Sequence, residues 1–366
     1  MIPMNDFQAT PAALRQAQVE AATRVLYSGW YILGNEGKRF EQMWARECGA
    51  RYAVGVANGM DAIEVGLRAA GIGPGDEVIT TTMSAFATVL AIFRAGATPV
   101  LADIEPDSAL LSPASVEKCI TPRTRAVLLV HLYGQVRNMA TWVALCERHD
   151  ILLLEDCAQS HLARAHGKTA GSFGLWGAYS FYPTKNLGAL GDAGALVTNS
   201  NRIATDAAVL RNYGQSERYH HPRMGLNSRL DEIQAAMLAV SLEWLPEFTA
   251  RRQKIARIYF EQIRNPAVQL LARPTEAESH VFHLFVVLCD NRDRLAAHMR
   301  ERGVEALIHY PVPIHEQPPC ASVKIAPDGL NHAALHAKRC LSLPCHPFLS
   351  EVELTQIIDA VNSFPG

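Results

Sequence analysis

Short runs of Val, Ile, Leu and Ala alternate with helical patterns through the first half of the chain, and this alternation restricts the fold more than any other feature. Strands and helices at this spacing are typical of βαβ units, which build a mainly parallel sheet covered by helices on both faces. The sequence therefore predicts an α/β fold. The predicted strands are Tyr52 to Ala57, Glu77 to Thr81, Thr98 to Ala102, Arg125 to Val130 and Ile151 to Glu155, and the predicted helices between them are Asp61 to Ala70, Ala85 to Ala95, Pro113 to Ile120 and Met139 to His149.

The second half of the chain predicts a smaller unit after the sheet. Pro246 is typical of the first turn of a helix, and a long helix is predicted from Glu247 to Ile263. We expect a large domain over residues 1–245 and a small C-terminal α+β domain over residues 246–366. The other predicted elements are the strands Trp176 to Phe181, Ala193 to Thr198 and His280 to Leu288, and the helices Arg229 to Leu242, Arg292 to Arg302 and one that begins at Glu351.

Composition excludes several classes of protein. The net charge of -2 and the pI near 6.7 leave no basic surface for nucleic acid, and no apolar run is long enough to cross a membrane. The eight cysteines are scattered without a C-x-x-C pair, which favours reduced thiols, and the histidines show no metal-ligand spacing. We expect a cytoplasmic protein that binds no metal, no nucleic acid and no membrane.

Several polar residues follow predicted strands, at the edge where ligands bind to open α/β sheets. Gly59 and Met60 lie where a strand turns into a helix, and free backbone N–H groups there favour a phosphate. Asp156 follows an apolar strand directly, with Gln159 nearby. Ser180 ends the next strand, five residues before Lys185.

Lys185 and Asp156 together indicate a cofactor. Pyridoxal phosphate needs an amine that forms a Schiff base, an anion that keeps its pyridine nitrogen protonated, and donors around its phosphate. Lys185 and Asp156 fit the first two needs. Taken alone, Lys185 is better explained as a surface lysine and Asp156 as a cap of the next segment, and only their combination with other elements favours a cofactor site.

Six ordered motifs carry a family resemblance that covers essentially the whole chain. The chain resembles the DegT/DnrJ/EryC1/StrS sugar-nucleotide aminotransferases. The motifs are Gly73-Pro74-Gly75-Asp76-Glu77-Val78-Ile79, His131-Leu132-Tyr133-Gly134, Glu155-Asp156-Cys157-Ala158-Gln159-Ser160, Gly171-Ser172-Phe173-Gly174, Ser180-Phe181-Tyr182-Pro183-Thr184-Lys185 and Gly225-Leu226-Asn227-Ser228-Arg229.

The resemblance implies the aspartate aminotransferase fold, known as fold type I, and a homodimer with active sites shared between subunits. It implies that Lys185 forms the Schiff base, that Asp156 pairs with the pyridine nitrogen and that Gln159 contacts the ring hydroxyl. Ser180 and the backbone N–H groups of Gly59 and Met60 are then phosphate ligands. Asn227 is expected to reach the phosphate from the partner subunit.

Two positions depart from the family pattern. Members commonly carry Thr where Met60 stands, and a thioether cannot donate the missing hydrogen bond. Many members also place an aromatic ring over the cofactor, at the position that Ala85 occupies here. Phe86 is the displaced aromatic, and we expect it either to stack on the cofactor or to pack in the core.

The resemblance also implies the reaction. L-Glutamate is the expected amino donor and a dTDP-3-oxo-6-deoxyhexose the expected acceptor. A 4-keto sugar nucleotide, a cyclitol and a non-catalytic regulatory role remain alternatives. Lys185 argues against the dehydratase branch, which carries His at that position.

Four residues are candidates for substrate binding. His309, Tyr310 and His315 lie in a Pro-rich segment of the C-terminal part, where nucleotide contacts could form, and Arg229 could meet a pyrophosphate. The alternatives are loop packing for the histidines and an intersubunit salt bridge for the arginine.

Overall fold

The computed structural model describes residues 1–366, and its thirteen strands form one large sheet and two small ones. Most of the predicted strands are present to within a residue at each end. The strands are β1 Tyr52–Val56, β2 Glu77–Thr81, β3 Thr98–Ala102, β4 Thr124–Val130, β5 Leu152–Asp156, β6 Arg164–Ala165, β7 Lys168–Thr169, β8 Trp176–Ser180, β9 Gly194–Thr198, β10 Gln269–Leu270, β11 Phe285–Leu288, β12 Lys324–Ile325 and β13 Cys340–Leu343.

The largest sheet has eight strands in the order β1-β9-β8-β5-β4-β2-β3-β12. Neighbouring strands from β8 to β12 are parallel, and β9 is antiparallel to both β1 and β8. The predicted mainly parallel α/β sheet is therefore confirmed. Because parallel strands point the same way, the carboxyl ends of β2, β4, β5 and β8 meet at one edge.

Twelve α-helices accompany the strands, and most of them cover the large sheet. The helices are α1 Ala12–Ser28, α2 Asn35–Glu47, α3 Gly59–Ala69, α4 Phe86–Arg94, α5 Pro113–Cys119, α6 Met139–Arg148, α7 Asn201–Leu210, α8 Glu232–Leu242, α9 Leu245–Gln262, α10 Arg292–Glu301, α11 Asn331–Arg339 and α12 Glu351–Asn362.

Successive residues of the central strands face opposite sides of the sheet, as the strand period of two requires. Val78 of β2 and Leu128 of β4 belong to the core under α3 and α7. Ile79 and Val127, their neighbours in sequence, belong to the core under α2, α5, α6 and α8. Continuous apolar runs in these strands are explained by this burial on both faces.

Two predicted elements are wrong in extent. The predicted strand from His280 to Leu288 is a strand only from Phe285, because the His280 ring stacks on Phe282 at 3.9 Å and Phe282 has a φ of 46°. The helix predicted from Arg229 begins at Glu232, because Ser228 N donates to Arg211 O and keeps that segment extended.

Four helices were not predicted from the sequence, namely α1, α2, α7 and α11. In α2 the buried Glu232 carboxylate accepts from the backbone N–H groups of Gly34, Glu36 and Gly37 and so caps the helix from another element. A cap supplied from almost 200 residues away leaves no local pattern, which is why the sequence did not indicate where this helix starts.

The C-terminal part of the chain has its own core and its own antiparallel sheet, β10-β11-β13. The chain reaches it through α9, whose first turn holds Pro246 as predicted. Contacts also cross position 245/246. Ile2 packs in the C-terminal core, and β12 pairs with β3 at the edge of the large sheet. The division into residues 1–245 and 246–366 stays a prediction.

All eight cysteines are free thiols and all are buried. No helix among the twelve combines the length and the apolar character that crossing a lipid bilayer requires. The cytoplasmic location stays a prediction.

Candidate active site

Asp156 lies at the carboxyl end of β5, near the centre of the large sheet, and its carboxylate is buried. Oδ1 accepts from the backbone N–H of Ala158 at 3.1 Å, and Oδ2 accepts from Thr88 Oγ1 at 2.8 Å. Burial raises the pKa of Asp156, and these two donors together with the charges of Lys185 and His131 oppose the rise.

Thr88 is in turn held by Ser84. The two hydroxyl oxygens lie 2.8 Å apart, and because Thr88 donates its proton to Asp156, its oxygen accepts from Ser84 Oγ. The hydroxyl chain therefore runs in one direction and ends at the carboxylate. Both residues are buried, so water does not compete for these bonds.

Lys185 lies in the loop between β8 and β9, close enough to Asp156 for the two charges to affect each other. Burial lowers the pKa of its amine to about 8, and the Asp156 charge opposes part of that fall. At neutral pH a tenth or so of such an amine is unprotonated, far more than for an ordinary lysine. The lysine is thus prepared to act as a nucleophile and as a base.

The Lys185 loop is fixed from two sides. Asn186 Nδ2 donates to Val281 O at 3.0 Å, and its Oδ1 lies 3.2 Å from His283 Nδ1. His161 accepts from Leu187 N at 3.0 Å through Nδ1, so its Nε2 carries the proton and donates to Ser180 O. Burial, together with the nearby Lys185 charge, lowers the pKa of His161 to about 3 and keeps the ring neutral.

A compact cradle lies where α3 begins beside the end of β8. Asp61 N donates to the Asn58 side chain and Ala62 N to Asn58 O, which leaves the N–H groups of Gly59 and Met60 ahead of the first helical bonds. A Cβ atom on Gly59 would lie 2.6 Å from Ser180 Cβ. Only glycine allows the helix N-terminus to come this close to Ser180, and the geometry suits a phosphate.

Gln159 joins the large sheet to the C-terminal part. Its Oε1 accepts from Tyr133 N at 2.7 Å, which fixes the amide orientation, and its Nε2 donates to the Tyr310 hydroxyl at 3.1 Å. The Tyr133 hydroxyl donates to His309 O at 2.7 Å. Burial and the Asp156 charge raise the pKa of Tyr310 to about 12, so its hydroxyl stays protonated.

The other predicted substrate residues, His309, His315 and Arg229, each contact a different part of the chain. His309 Nδ1 lies 2.9 Å from Ser342 Oγ, and burial and the Lys185 charge lower its pKa to about 4. His315 Nδ1 lies 2.7 Å from Thr82 Oγ1, just beyond the end of β2. Arg229 donates to Asn212 Oδ1 at 3.0 Å and covers the Tyr213 ring.

Asn227 and Phe86 take positions that the sequence left open. Asn227 is exposed and pairs with Asn212 at the base of a hairpin. Phe86 is half-buried at the first residue of α4 and packs against the core of the large sheet. Met60 packs against the core on the opposite face of the sheet. The roles assigned to these three residues stay predictions.

His131, Glu155 and Cys157 form the one cluster with metal-ligand chemistry, and all three are buried. Glu155 accepts from the backbone N–H groups of Gly171, Phe173 and Gly174, and it lies 2.9 Å from His131 Nε2. These bonds occupy both carboxylate oxygens and fix the Gly171–Gly174 turn, which gives Glu155 a structural role.

Sequence reasoning missed Thr88, His161 and Asn186, which hold Asp156 and the Lys185 loop in place. Each of them stands within or beside a segment that the sequence singled out: Thr88 two residues after Phe86, His161 directly after Ser160, and Asn186 directly after Lys185. The signal in the sequence was that each residue lies in or beside a motif. Its hydrogen-bond partners, however, come from other elements and are visible only in the fold.

A buried carboxylate, a lysine with a lowered pKa and a phosphate cradle at the ends of parallel strands define a pyridoxal-phosphate enzyme of fold type I. The chain belongs to the DegT/DnrJ/EryC1/StrS aminotransferase family, which matches residues 12–362. It is therefore a pyridoxal-phosphate-dependent aminotransferase, and the predicted family, fold, enzyme class and cofactor are confirmed.

Full-length relatives support the same conclusion. The chain is 42% identical to the dTDP-3-amino-3,4,6-trideoxy-alpha-D-glucose transaminase of Streptomyces venezuelae, over 99% of this chain and 96% of that one. It is 41% identical to the dTDP-3-amino-3,6-dideoxy-alpha-D-galactopyranose transaminase of Aneurinibacillus thermoaerophilus, over 100% and 99%. The crystal structure of S. venezuelae DesV in complex with a ketimine intermediate superposes with a TM-score of 0.95, at 42% identity, over 99% of this chain and 97% of that one.

Proposed function

We propose that this aminotransferase moves an amino group from L-glutamate to a dTDP-3-oxo-6-deoxyhexose and forms the 3-amino-3,6-dideoxy sugar nucleotide. The observation that carries the reaction type is the convergence of Lys185 and Asp156, each altering the pKa of the other. The substrate class rests on the two transaminases of dTDP-linked 3-amino sugars, to which the chain is 42% and 41% identical over nearly its full length.

Pyridoxal phosphate, when bound, supplies an aldehyde that captures amines and a ring that delocalises the negative charge left when a proton is removed. The residues that fit it are Asp156 for the ring nitrogen, Gln159 for the ring hydroxyl, and Ser180 with Gly59 and Met60 for the phosphate. The fit rests on the cradle at α3, where a side chain on Gly59 would strike Ser180, and on two N–H groups free of helical bonds.

Lys185 is the proton-transfer group in this proposal. With a pKa of about 8, the amine accepts a proton from the donor carbon and releases it again near neutral pH. His161, His283 and His309 lie near it; burial lowers the pKa of each ring, and the Lys185 charge adds to the fall. Neutral rings beside the lysine add no competing charge.

Asp156 differs from Lys185 in that its carboxylate must remain charged. Two hydrogen-bond donors and the cationic lysine favour its carboxylate form against the effect of burial. A negative charge fixed at this point would keep the ring nitrogen of bound pyridoxal phosphate protonated.

A homodimer with shared sites completes the proposal. Asn227 and the hairpin around it are exposed in one chain, with Tyr219 and Met224 among the most exposed large side chains. An exposed hairpin of this kind supports our assignment of Asn227 to the partner subunit's phosphate site. Arg229 and His315 are proposed for the nucleotide portion, and residues 1–245 and 246–366 are proposed as the two domains.

The test is to supply purified holoenzyme and L-glutamate with a panel of 3-keto and 4-keto sugar nucleotides and to identify products by mass and NMR. We expect a 3-amino product. Formation of a 4-amino product alone would remove the 3-keto assignment and leave the aminotransferase assignment intact.

Lys185→Ala should lower turnover by about 10⁴-fold or more, because the nucleophile and the base are lost together. Lys254→Ala, an exposed lysine on α9, is the matched control and should retain full turnover. Amino-sugar formation at the normal rate by the Lys185 variant would contradict the proposal.

A further inference from the structure

A cavity of about 580 Å³ lies next to the Lys185 loop and contains none of the proposed cofactor ligands other than Lys185. Its walls come from the N-terminal segment, α1, the loop from Pro183 to Leu190, the end of α8, α9 and the turn His346–Phe348. Cavities of this size hold small organic ligands.

Arg252 is the unusual residue in this wall. Its side chain is 5% exposed, yet no carboxylate of the chain pairs with it. A buried charge without a counter-ion is strongly unfavourable, and proteins normally pair it. Burial lowers the pKa of the guanidinium, but an arginine side chain stays protonated.

The hydrogen bonds of Arg252 use only part of the guanidinium. Nη1 donates to Cys345 O at 2.9 Å and to Phe282 O at 3.3 Å, which fastens α9 to the segments that precede β11 and follow β13. Nε has no partner in the chain, and Nη2 donates to no group of the chain. The hydrogen bonds that hold α9 in place therefore use only one of the three guanidinium nitrogens.

Besides Arg252 and Lys185, the cavity wall holds three ionisable side chains, those of His346, Arg15 and Asp6. His346 is 3% exposed, its Nδ1 accepts from Phe348 N at 3.3 Å, and burial together with the Arg252 charge lowers its pKa to about 4. Arg15 adds a second guanidinium, bonded only to the backbone oxygens of Phe7 and Gln8. Asp6 is the one carboxylate, and its Oδ1 already accepts from Gln8 N and Ala9 N.

We infer that this cavity is a binding site for a small organic oxyanion, with Arg252 and Arg15 as its cationic ligands. Guanidinium groups bind carboxylates and phosphates with charge-assisted hydrogen bonds. The rings of Phe7, Phe248 and Phe348 line the same space and suit the carbon part of such a ligand. The ligand chemistry fits two sources, a dicarboxylate such as 2-oxoglutarate or a nucleoside diphosphate.

The inference does not depend on the sugar substrate, because it concerns binding and not turnover. The experiment is calorimetric titration of the pyridoxal-phosphate holoenzyme with 2-oxoglutarate, dTDP and inorganic phosphate. In this cofactor form 2-oxoglutarate has no amino group to receive, so binding is observed alone. Saturable binding of one organic anion identifies its source, whereas binding of inorganic phosphate alone, or of none of the three, would overturn the inference.

Substitutions in the cavity wall test whether the anion binds in this cavity. Gln18→Trp fills the cavity from α1, where Gln18 contacts Ser241 across the space, and should abolish the binding without touching Arg252. Arg15→Gln should weaken it about three- to tenfold, and Arg252→Gln about tenfold or more. The matched control is Arg257→Gln, an exposed arginine on α9, which should change nothing.

Arg252→Gln also removes the clamp on Phe282 and Cys345, so Gln18→Trp and Arg15→Gln decide the matter if that variant does not fold. The Arg229→Ala variant shows whether dTDP binds in the cavity or at the proposed nucleotide site. Binding of dTDP that Arg229→Ala abolishes and Gln18→Trp leaves unchanged would assign the anion to that other site and refute the cavity.

Discussion

On one side of the Lys185 loop, Asp156 is a buried carboxylate whose oxygens accept from Ala158 and Thr88 and which faces a lysine. On the other side, Arg252 is a buried guanidinium without a carboxylate partner. Groups of the chain compensate the negative charge of Asp156, whereas the positive charge of Arg252 requires a partner from outside the chain. The difference indicates that the loop separates a preorganised cofactor site from a site completed by a ligand.

Among the substitutions that compare the two sides of the loop, Asp156→Asn is expected to have the largest effect, because it removes the buried negative charge. Turnover should fall roughly 10²- to 10³-fold, since a preorganised charge at the reacting group is lost. Measurement of kcat tests this, together with anion binding in the cavity, which should be unchanged. Loss of both properties would show that the two sides of the loop are not independent.

Gly59→Ala should weaken pyridoxal phosphate binding roughly 10- to 100-fold, because its Cβ would lie 2.6 Å from Ser180 Cβ and displace the cradle. Gly73→Ala is the matched control, since its Cβ would meet its nearest neighbour, Ala95 O, at an ordinary 3.5 Å. Equilibrium titration of the cofactor-free chain with pyridoxal phosphate measures both. Equal affinities for the two variants would place the phosphate elsewhere.

Thr88→Val should lower kcat about tenfold, because a buried carboxylate oxygen loses its donor. Thr88→Ser keeps the hydroxyl and should restore most of the activity. The position of the visible absorption band of the bound cofactor, followed against pH, reports the charge state that Asp156 supports. A band that titrates identically in the Val and Ser variants would mean that Thr88 has only a packing role.

The smallest effect is a pH dependence. In the cofactor-free chain the amine of Lys185 reacts only when unprotonated, and with a pKa of about 8 that fraction falls as pH falls below 8. The rate of cofactor attachment should rise about fivefold from pH 7 to pH 8 and less than about twofold from pH 8 to pH 9. A rate that keeps rising about tenfold per pH unit up to pH 10 would show an unperturbed lysine.

The sheet was predictable because its strands are continuous apolar runs buried on both faces, as in β4 and β5. The positions of Asp156, Ser180 and Gly59 followed, since parallel strands bring their carboxyl ends to one edge. Helix α2 was missed because its cap, Glu232, lies almost 200 residues away.

Long-range pairing also explains the functional residues that were missed. His161 is informative only once Ser180 O and Leu187 N are known to lie on either side of it. Arg252 looks in sequence like any basic residue of an amphipathic helix next to Arg251. Its burial and its lack of a counter-ion appear only when α9 is packed against Phe282 and Cys345.

The most direct measurement is borohydride reduction of the holoenzyme followed by peptide mass spectrometry. The account predicts a single pyridoxyl label, on the ε-nitrogen of Lys185, with loss of the visible absorption band. A label on another lysine, or a protein that binds no cofactor and gives no label, would contradict it.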